Sequence, residues 1–177
     1  MARLEIAQIK SVQSHDISAA HAAEAGFVVL GQSEWLEIPG LNIPLIDAKL
    51  DTGAHSSVLH AEQMEPIWRG DERWVRFICH PLIERTDVQV VCTVPVTDER
   101  DVRSSNGIVE RRLFIRQEVC HGDLHWEIEI SLTTRRLMRH RMLLGRSALA
   151  GRFLVDPGRQ YLLGEQSPDE HYPNLPT

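Results

Sequence analysis

The stretch AKLDTGAHSSVLHA, residues 48–61, brings one carboxylate, Asp51, to the end of an apolar run and follows it at once with Thr52 and Gly53. Leu45, Ile46, Ala48 and Leu50 lead into it, and small or apolar residues lead out. Glycine permits a sharp turn and lets its own N–H approach the carboxylate. A threonine hydroxyl can bond the backbone of a facing loop. A carboxylate so held projects into a cleft and can activate water. A single carboxylate is a poor device for hydrolysis. Two that share one proton supply a base and an acid together, because like charges a few ångströms apart cannot both ionise easily. This chain has one Asp-Thr-Gly, so a second copy of the motif would have to come from a second chain related by a two-fold axis.

The elements that must position Asp51 read as strands. FVVL, WLEI, LIDAKL, WVRFIC, VQVVCTVPV, IVERRLFI and LHWEIEISL are short runs broken by Gly, Pro, Asn and Asp. In the last, Leu124, Trp126, Ile128, Ile130 and Leu132 alternate with polar residues, as a half-buried strand requires. Pro95 predicts that its strand lies at an edge or stops there. The stretch MLLGRSALAGRFLVDPGRQYLLG predicts a strand, a helical turn over 146–150 and two further strands. Residues 16–25, DISAAHAAEA, predict a peripheral helix with Asp16 as its cap and Gly26 at its end. The expected organisation is a partly helical N-terminal extension over 1–26, one β domain over 27–165 and a polar, Pro-rich C-terminal tail over 166–177. The expected fold class is all-β, a small closed β-barrel with one short C-terminal helix.

A chain of 177 residues can bury one sizeable core. Its formal charge of −6 favours solubility and tilts against nucleic acid as a partner. No apolar run is long enough to span a membrane as a helix, and residues 1–16 lack the continuous apolar segment of a signal peptide. Cys79, Cys92 and Cys120 are an odd number with no close pair, which fits reduced thiols and a cytoplasmic location better than a disulfide framework.

DTGA followed far downstream by MLLGR resembles the retroviral-type aspartic proteases, the retropepsins. The resemblance is closer still to a bacterial family of retropepsin-like proteins often labelled ATP-dependent zinc proteases. AKLDTGAHSSVLHA, WVRFICHP, RSSNGIVERRLFI and RMLLGRSALAGRFLVDPGRQYLLG are similar to that family's blocks, in order, over about residues 27–164. Asp-Thr-Gly alone is a weak motif and could be plain turn chemistry; four ordered blocks are specific. The resemblance implies a homodimer with Asp51, Thr52 and Gly53 in the catalytic turn, and peptide or protein as substrate. It implies substrate contacts from Ala54, His55, Leu144 and Gly145. It further implies a flap, a hairpin that closes over the substrate, at VRSSNGIVERR. There Ser105, Asn106 and Gly107 would touch the substrate, and Asn106-Gly107 is a strong hairpin signal.

The sequence departs from the viral pattern at one position. Two residues after the motif glycine, viral enzymes carry a second aspartate that pairs with the arginine after the downstream glycine. Here that position is His55, while Arg146 is present. Arg146 therefore needs another partner. No metal and no cofactor is expected. His121 and His125 stand four apart in a region read as strand, where that spacing spans roughly 13 Å. There is neither a His-Glu-x-x-His nor a phosphate-binding glycine loop. The run DERDVR, residues 98–103, reads as a solvated loop, and Arg135, Arg136, Arg139, His140 and Arg141 read as a solvated turn that could dock an acidic peptide. The leading expectation is an aspartic endopeptidase. The alternative is a peptide-binding module on the same barrel that cleaves nothing.

Overall fold

A computed structural model describes residues 26–103 and 107–173. The chain is mostly β. In order it forms β1 (Val28–Leu30), β2 (Ser33–Ile38), a 3-10 turn over Pro39–Leu41, β3 (Ile43–Asp51), β4 (Ser57–His60), β5 (Glu62–Arg69), β6 (Glu72–Cys79) and β7 (Val90–Pro95). Then come β8 (Asp98–Arg103), β9 (Val109–His121), β10 (Leu124–Thr133), β11 (Met142–Gly145), the single helical turn α1 (Arg146–Leu149), β12 (Phe153–Val155) and α2 (Pro168–His171). The helix expected over 16–25 lies outside the described residues. No described helix is long and apolar enough to cross a membrane.

The largest sheet runs β10-β4-β11-β3-β2-β9-β8, and β9 also pairs with β10, so the ladder returns on itself. Inside it lie Leu36, Ile38, Ile46, Ala48, Leu59, Ile115, Ile130, Met142 and Leu144, all essentially without solvent access. The alternation read from β10 holds: Trp126, Ile128, Ile130 and Leu132 are buried, and Glu127 points to solvent. A second sheet, β5-β6-β7, adds Val75, Phe77, Cys79, Cys92 and Val94 to the same core. Its strand β7 is at an edge and stops at Pro95, as the proline requires.

Three sequence expectations change. DERDVR is not a loop: it is β8, paired antiparallel with β9 from Asp98↔Phe114 to Arg103↔Val109. Its charges are accommodated because oppositely charged side chains from β9, β10 and β6 reach them. Arg111 reaches Glu99 and Asp101, Arg100 reaches Asp98 and Glu129, and Arg73 of β6 reaches Glu99. The second of the two strands expected after α1 does not form. Residues 160–163 make a turn pinned by Glu34, a wholly buried carboxylate that accepts the N–H groups of Leu162 and Leu163 at 3.0 and 3.2 Å. Residues 166–173 do not trail away either. Their helical turn α2 sets Tyr172 against Leu45, Leu82 and Val88, with the Tyr172 hydroxyl donating to Leu45 O at 2.6 Å.

Candidate functional site

Asp51 is the last residue of β3, and its surroundings follow from register. β11 lies parallel beside β3 with Leu143↔Lys49, Leu144↔Leu50 and Gly145↔Asp51. Because strand side chains alternate, Ala48 and Leu50 enter the core while Lys49 and Asp51 share the outer face. The same rule acts on β11. Leu144, expected at the substrate, is fully buried in the core, while its neighbour Leu143 is half-buried beside Lys49.

The chain turns over Thr52–His55. Gly53 N–H and Ala54 N–H both donate to Asp51 Oδ1, at 3.0 and 3.2 Å. Thr52, Gly53 and His55 are exposed and Asp51 is half-buried. The turn is docked on β11 and α1 by backbone bonds: Arg146 N–H donates to Ala54 O at 2.9 Å and Ser147 N–H to His55 O at 3.0 Å. Ser57 Oγ accepts from Gly145 N–H at 3.2 Å. The partner that Arg146 needs is now identified. Its Nη1 donates to Thr52 O at 3.0 Å and to Gly53 O at 2.9 Å. These partners are backbone carbonyls, so the His55 side chain is not required for this contact.

β8 and β9 form the hairpin expected to be the flap. Gly107 lies in its connection at φ +82°, a conformation that favours glycine, while Ser105 and Asn106 lie outside the described residues. On β9, Glu110 accepts from Thr133 Oγ1 at 2.8 Å and from Arg112 Nε at 2.7 Å. Arg135 sits in the connection between β10 and β11. Burial holds its guanidinium below the usual arginine range, the nearby Arg112 and Arg141 push the same way, and the Asp51 carboxylate opposes them. Arg135, and Lys49 two residues earlier on the same strand face, thus bring cations near Asp51. Sequence reading missed both, although the alternation within LIDAKLD was enough to place Lys49 beside Asp51.

The basic connection itself is held from within. Arg141 is 5% exposed and donates from Nη1 to the carbonyls of Arg135 and Arg136. Arg135 N–H donates to Nδ1 of the fully buried His60 at 2.9 Å. Nε2 of His60 then carries the proton and lies 3.2 Å from Glu62 Oε1, off the line of a well-formed bond. Burial and the Arg141 cation push His60 down to about 4. Arg136 grips Glu62 through two bonds of 2.9 and 2.8 Å.

Among the described residues no three of His, Cys, Asp or Glu converge to hold a metal ion. His121 and His125 are separated by a hairpin turn at Gly122 rather than spaced along one strand, with His125 opposite Cys120. The His121 ring bridges Trp35 O and Leu163 O at 2.9 and 2.8 Å, and His125 faces Glu118. Cys79, Cys92 and Cys120 are free and buried.

The family model for the retropepsin-like aspartic endopeptidase RimB matches residues 29–166. The chain belongs to the RimB-like family. The chain is also 42% identical over 143 residues to a probable alpha-L-glutamate ligase of Parasynechococcus marenigrum (strain WH8102), covering 81% of this chain and 31% of that protein. A probable alpha-L-glutamate ligase of Shewanella halifaxensis (strain HAW-EB4) is 40% identical over 139 residues, 78% of this chain and 30% of that protein. The chain therefore spans under a third of the length of these relatives. A crystal structure of Lpg0085, a Legionella pneumophila protein of unknown function, matches with a TM-score of 0.64 at 24% identity. It covers 77% of this chain and 98% of that one. That likeness concerns the fold alone.

Proposed function

We propose that this RimB-like chain is an aspartic endopeptidase of retropepsin type, built on a small β-barrel, whose catalytic unit is a homodimer. The observation that carries the reading is the Asp51 carboxylate itself: held through Oδ1 by two backbone N–H groups, half-exposed, and flanked by the exposed Thr52 and Gly53. One such turn supplies one carboxylate; a second copy approaching across a two-fold axis would supply the other. Water between them loses a proton to the ionised member and attacks the scissile carbonyl. The protonated member gives its proton to the carbonyl oxygen, and the amine leaves with a proton returned by the pair. No covalent intermediate forms. The β8–β9 hairpin would close over the substrate as a flap.

The substrate class proposed is peptide carrying glutamate side chains. Lys49 and Arg135 place positive charge near Asp51 in a chain of net charge −6. The relatives' names attach glutamate chemistry to longer proteins that include a segment like this one. The ligase name is that of those longer proteins, of which this chain matches under a third.

The test is cleavage of peptides ending in several glutamates, compared with alanine-substituted controls, alongside sedimentation of the same samples. Cleavage by a dimer and none by Asp51→Asn supports the reading. A monomer that binds the peptides and never cleaves them overturns it in favour of a binding module, since one chain brings only one Asp51.

A further inference from the structure

Two peptide units lie between Arg146 and Asp51. A trans peptide points its C=O and its N–H in opposite directions. In the first unit, Thr52 C=O accepts from Arg146 Nη1 at 3.0 Å, and Gly53 N–H donates to Asp51 Oδ1 at 3.0 Å. In the second, Gly53 C=O accepts from the same Nη1 at 2.9 Å, and Ala54 N–H is shared between the same Oδ1 and Asp51 O, each at 3.2 Å. One guanidinium nitrogen and one carboxylate oxygen therefore hold two peptide dipoles side by side, cation at the carbonyl ends and anion at the N–H ends. Hydrogen bonds arranged in series polarise one another.

From this we infer that Arg146 is a positioning residue for Asp51, acting through the Thr52–Gly53 and Gly53–Ala54 peptides and not through a side-chain ion pair. The inference rests on Asp51 being the catalytic group. The arrangement does two things. It commits Oδ1 to two N–H donors, and among the described residues Oδ2 carries no hydrogen bond, so Oδ2 is the oxygen left to face water and the second carboxylate. It also fixes the plane of the carboxylate, since both donors are fixed in turn by one nitrogen of a planar, permanently charged guanidinium.

The Arg146 side chain is not what docks the turn on the rest of the protein. The backbone bonds from Arg146 N–H to Ala54 O, from Ser147 N–H to His55 O and from Gly145 N–H to Ser57 Oγ do that. Arg146 is exposed, and so is His55. Removing the guanidinium should therefore leave the fold and disturb the two peptides.

The experiment uses the full chain with Arg146→Ala and Arg146→Lys. Both variants are expected to keep the wild-type circular dichroism spectrum. Arg146→Ala should lose about ten- to a hundredfold in kcat, with KM within about threefold, because the contact acts on the reacting carboxylate and not on substrate binding. Free guanidinium at sub-denaturing concentration should restore part of the Arg146→Ala rate and leave wild type unaffected. Arg146→Lys, a point charge without the planar guanidinium, should recover only part of the loss. A second readout needs no catalysis: amide hydrogen exchange at Gly53 and Ala54 should speed up about tenfold or more in Arg146→Ala, with the core strand β10 unchanged. Unchanged exchange at Gly53 and Ala54 overturns the proposal even if the protein cleaves nothing. A rate loss carried by KM, or a kcat equal to wild type, overturns it if the protein does cleave. Should Arg146→Ala fail to fold, Arg146→Lys decides by the same two readouts.

Discussion

Gly145 approaches Ser56 so closely that a side-chain methyl on Gly145 would lie 2.5 Å from both the carbonyl carbon and the carbonyl oxygen of Ser56, and 2.8 Å from His55 O. These neighbours are backbone, so they cannot swing aside. The close approach lets β11 lie against the far end of the Asp51 turn and donate Gly145 N–H to Ser57 Oγ. Gly145→Ala should push β11 away from residues 55–56, with a destabilisation of about 1–3 kcal/mol and a larger proportional loss of any Asp51-dependent activity. Urea denaturation paired with peptide cleavage checks both parts.

Asp51→Asn should abolish cleavage and keep the fold. The amide oxygen can still accept from Gly53 and Ala54 N–H, so the turn persists, whereas the amide cannot take a proton from water. Cleavage by the wild type should survive EDTA and need no ATP. One tightly held zinc per chain, lost together with activity on chelation, would contradict this. Circular dichroism and rates measured on the same preparations separate loss of chemistry from loss of structure.

His60 predicts a loss of stability in acid. Its value is depressed to about 4 by burial and by Arg141, with His80 and Arg136 acting in the same direction and Glu62 opposing them. A depressed histidine is neutral when folded and binds its proton more readily when unfolded. Its contribution is complete above the unfolded value near 6.5 and is lost as pH falls from there towards 4. The full difference is at most roughly 3 kcal/mol. His60→Asn, which keeps an acceptor near Nδ1 for Arg135 N–H, should flatten the stability curve in that window. Denaturant midpoints at pH 7 and near pH 4.5 measure it; identical slopes in the two proteins would rule His60 out as the source.

Tyr172 ties the C-terminal stretch to β3. Its hydroxyl donates to Leu45 O at 2.6 Å among buried neighbours. Tyr172→Phe should cost about 1–2 kcal/mol by leaving that carbonyl short of a donor. Thermal unfolding followed by circular dichroism would show it, and a variant as stable as wild type would mean that the ring alone anchors the stretch.

Much of this site was legible from residue types and spacing. Asp51-Thr52-Gly53 after an apolar run, with Leu143-Leu144-Gly145 downstream, is enough to expect a strand-end turn facing a glycine, and the register Gly145↔Asp51 realises it. Strands with clean alternation, such as β10, were equally plain because each side chain reports its own face. Local pattern misled where a strand is stabilised by what lies across from it. DERDVR looks like a loop until Arg111, Glu129 and Arg73 are seen opposite its charges. QYLL looks like a strand until the Glu34 carboxylate, more than a hundred residues away in sequence, is found holding its N–H groups.

By itself, the sequence determined that this chain is β-rich, that it places one carboxylate in a glycine turn, and that residue 55, two after the motif glycine, is a histidine and not an acid. Only the tertiary structure decided what Arg146 holds, which leucine of β11 faces outward, and which cations stand near Asp51. Strand alternation and turn chemistry are short-range, written into neighbouring residues. The partners of Arg146 are backbone carbonyls more than ninety residues away, and carbonyls are the same in every residue, so no side-chain pattern could announce them.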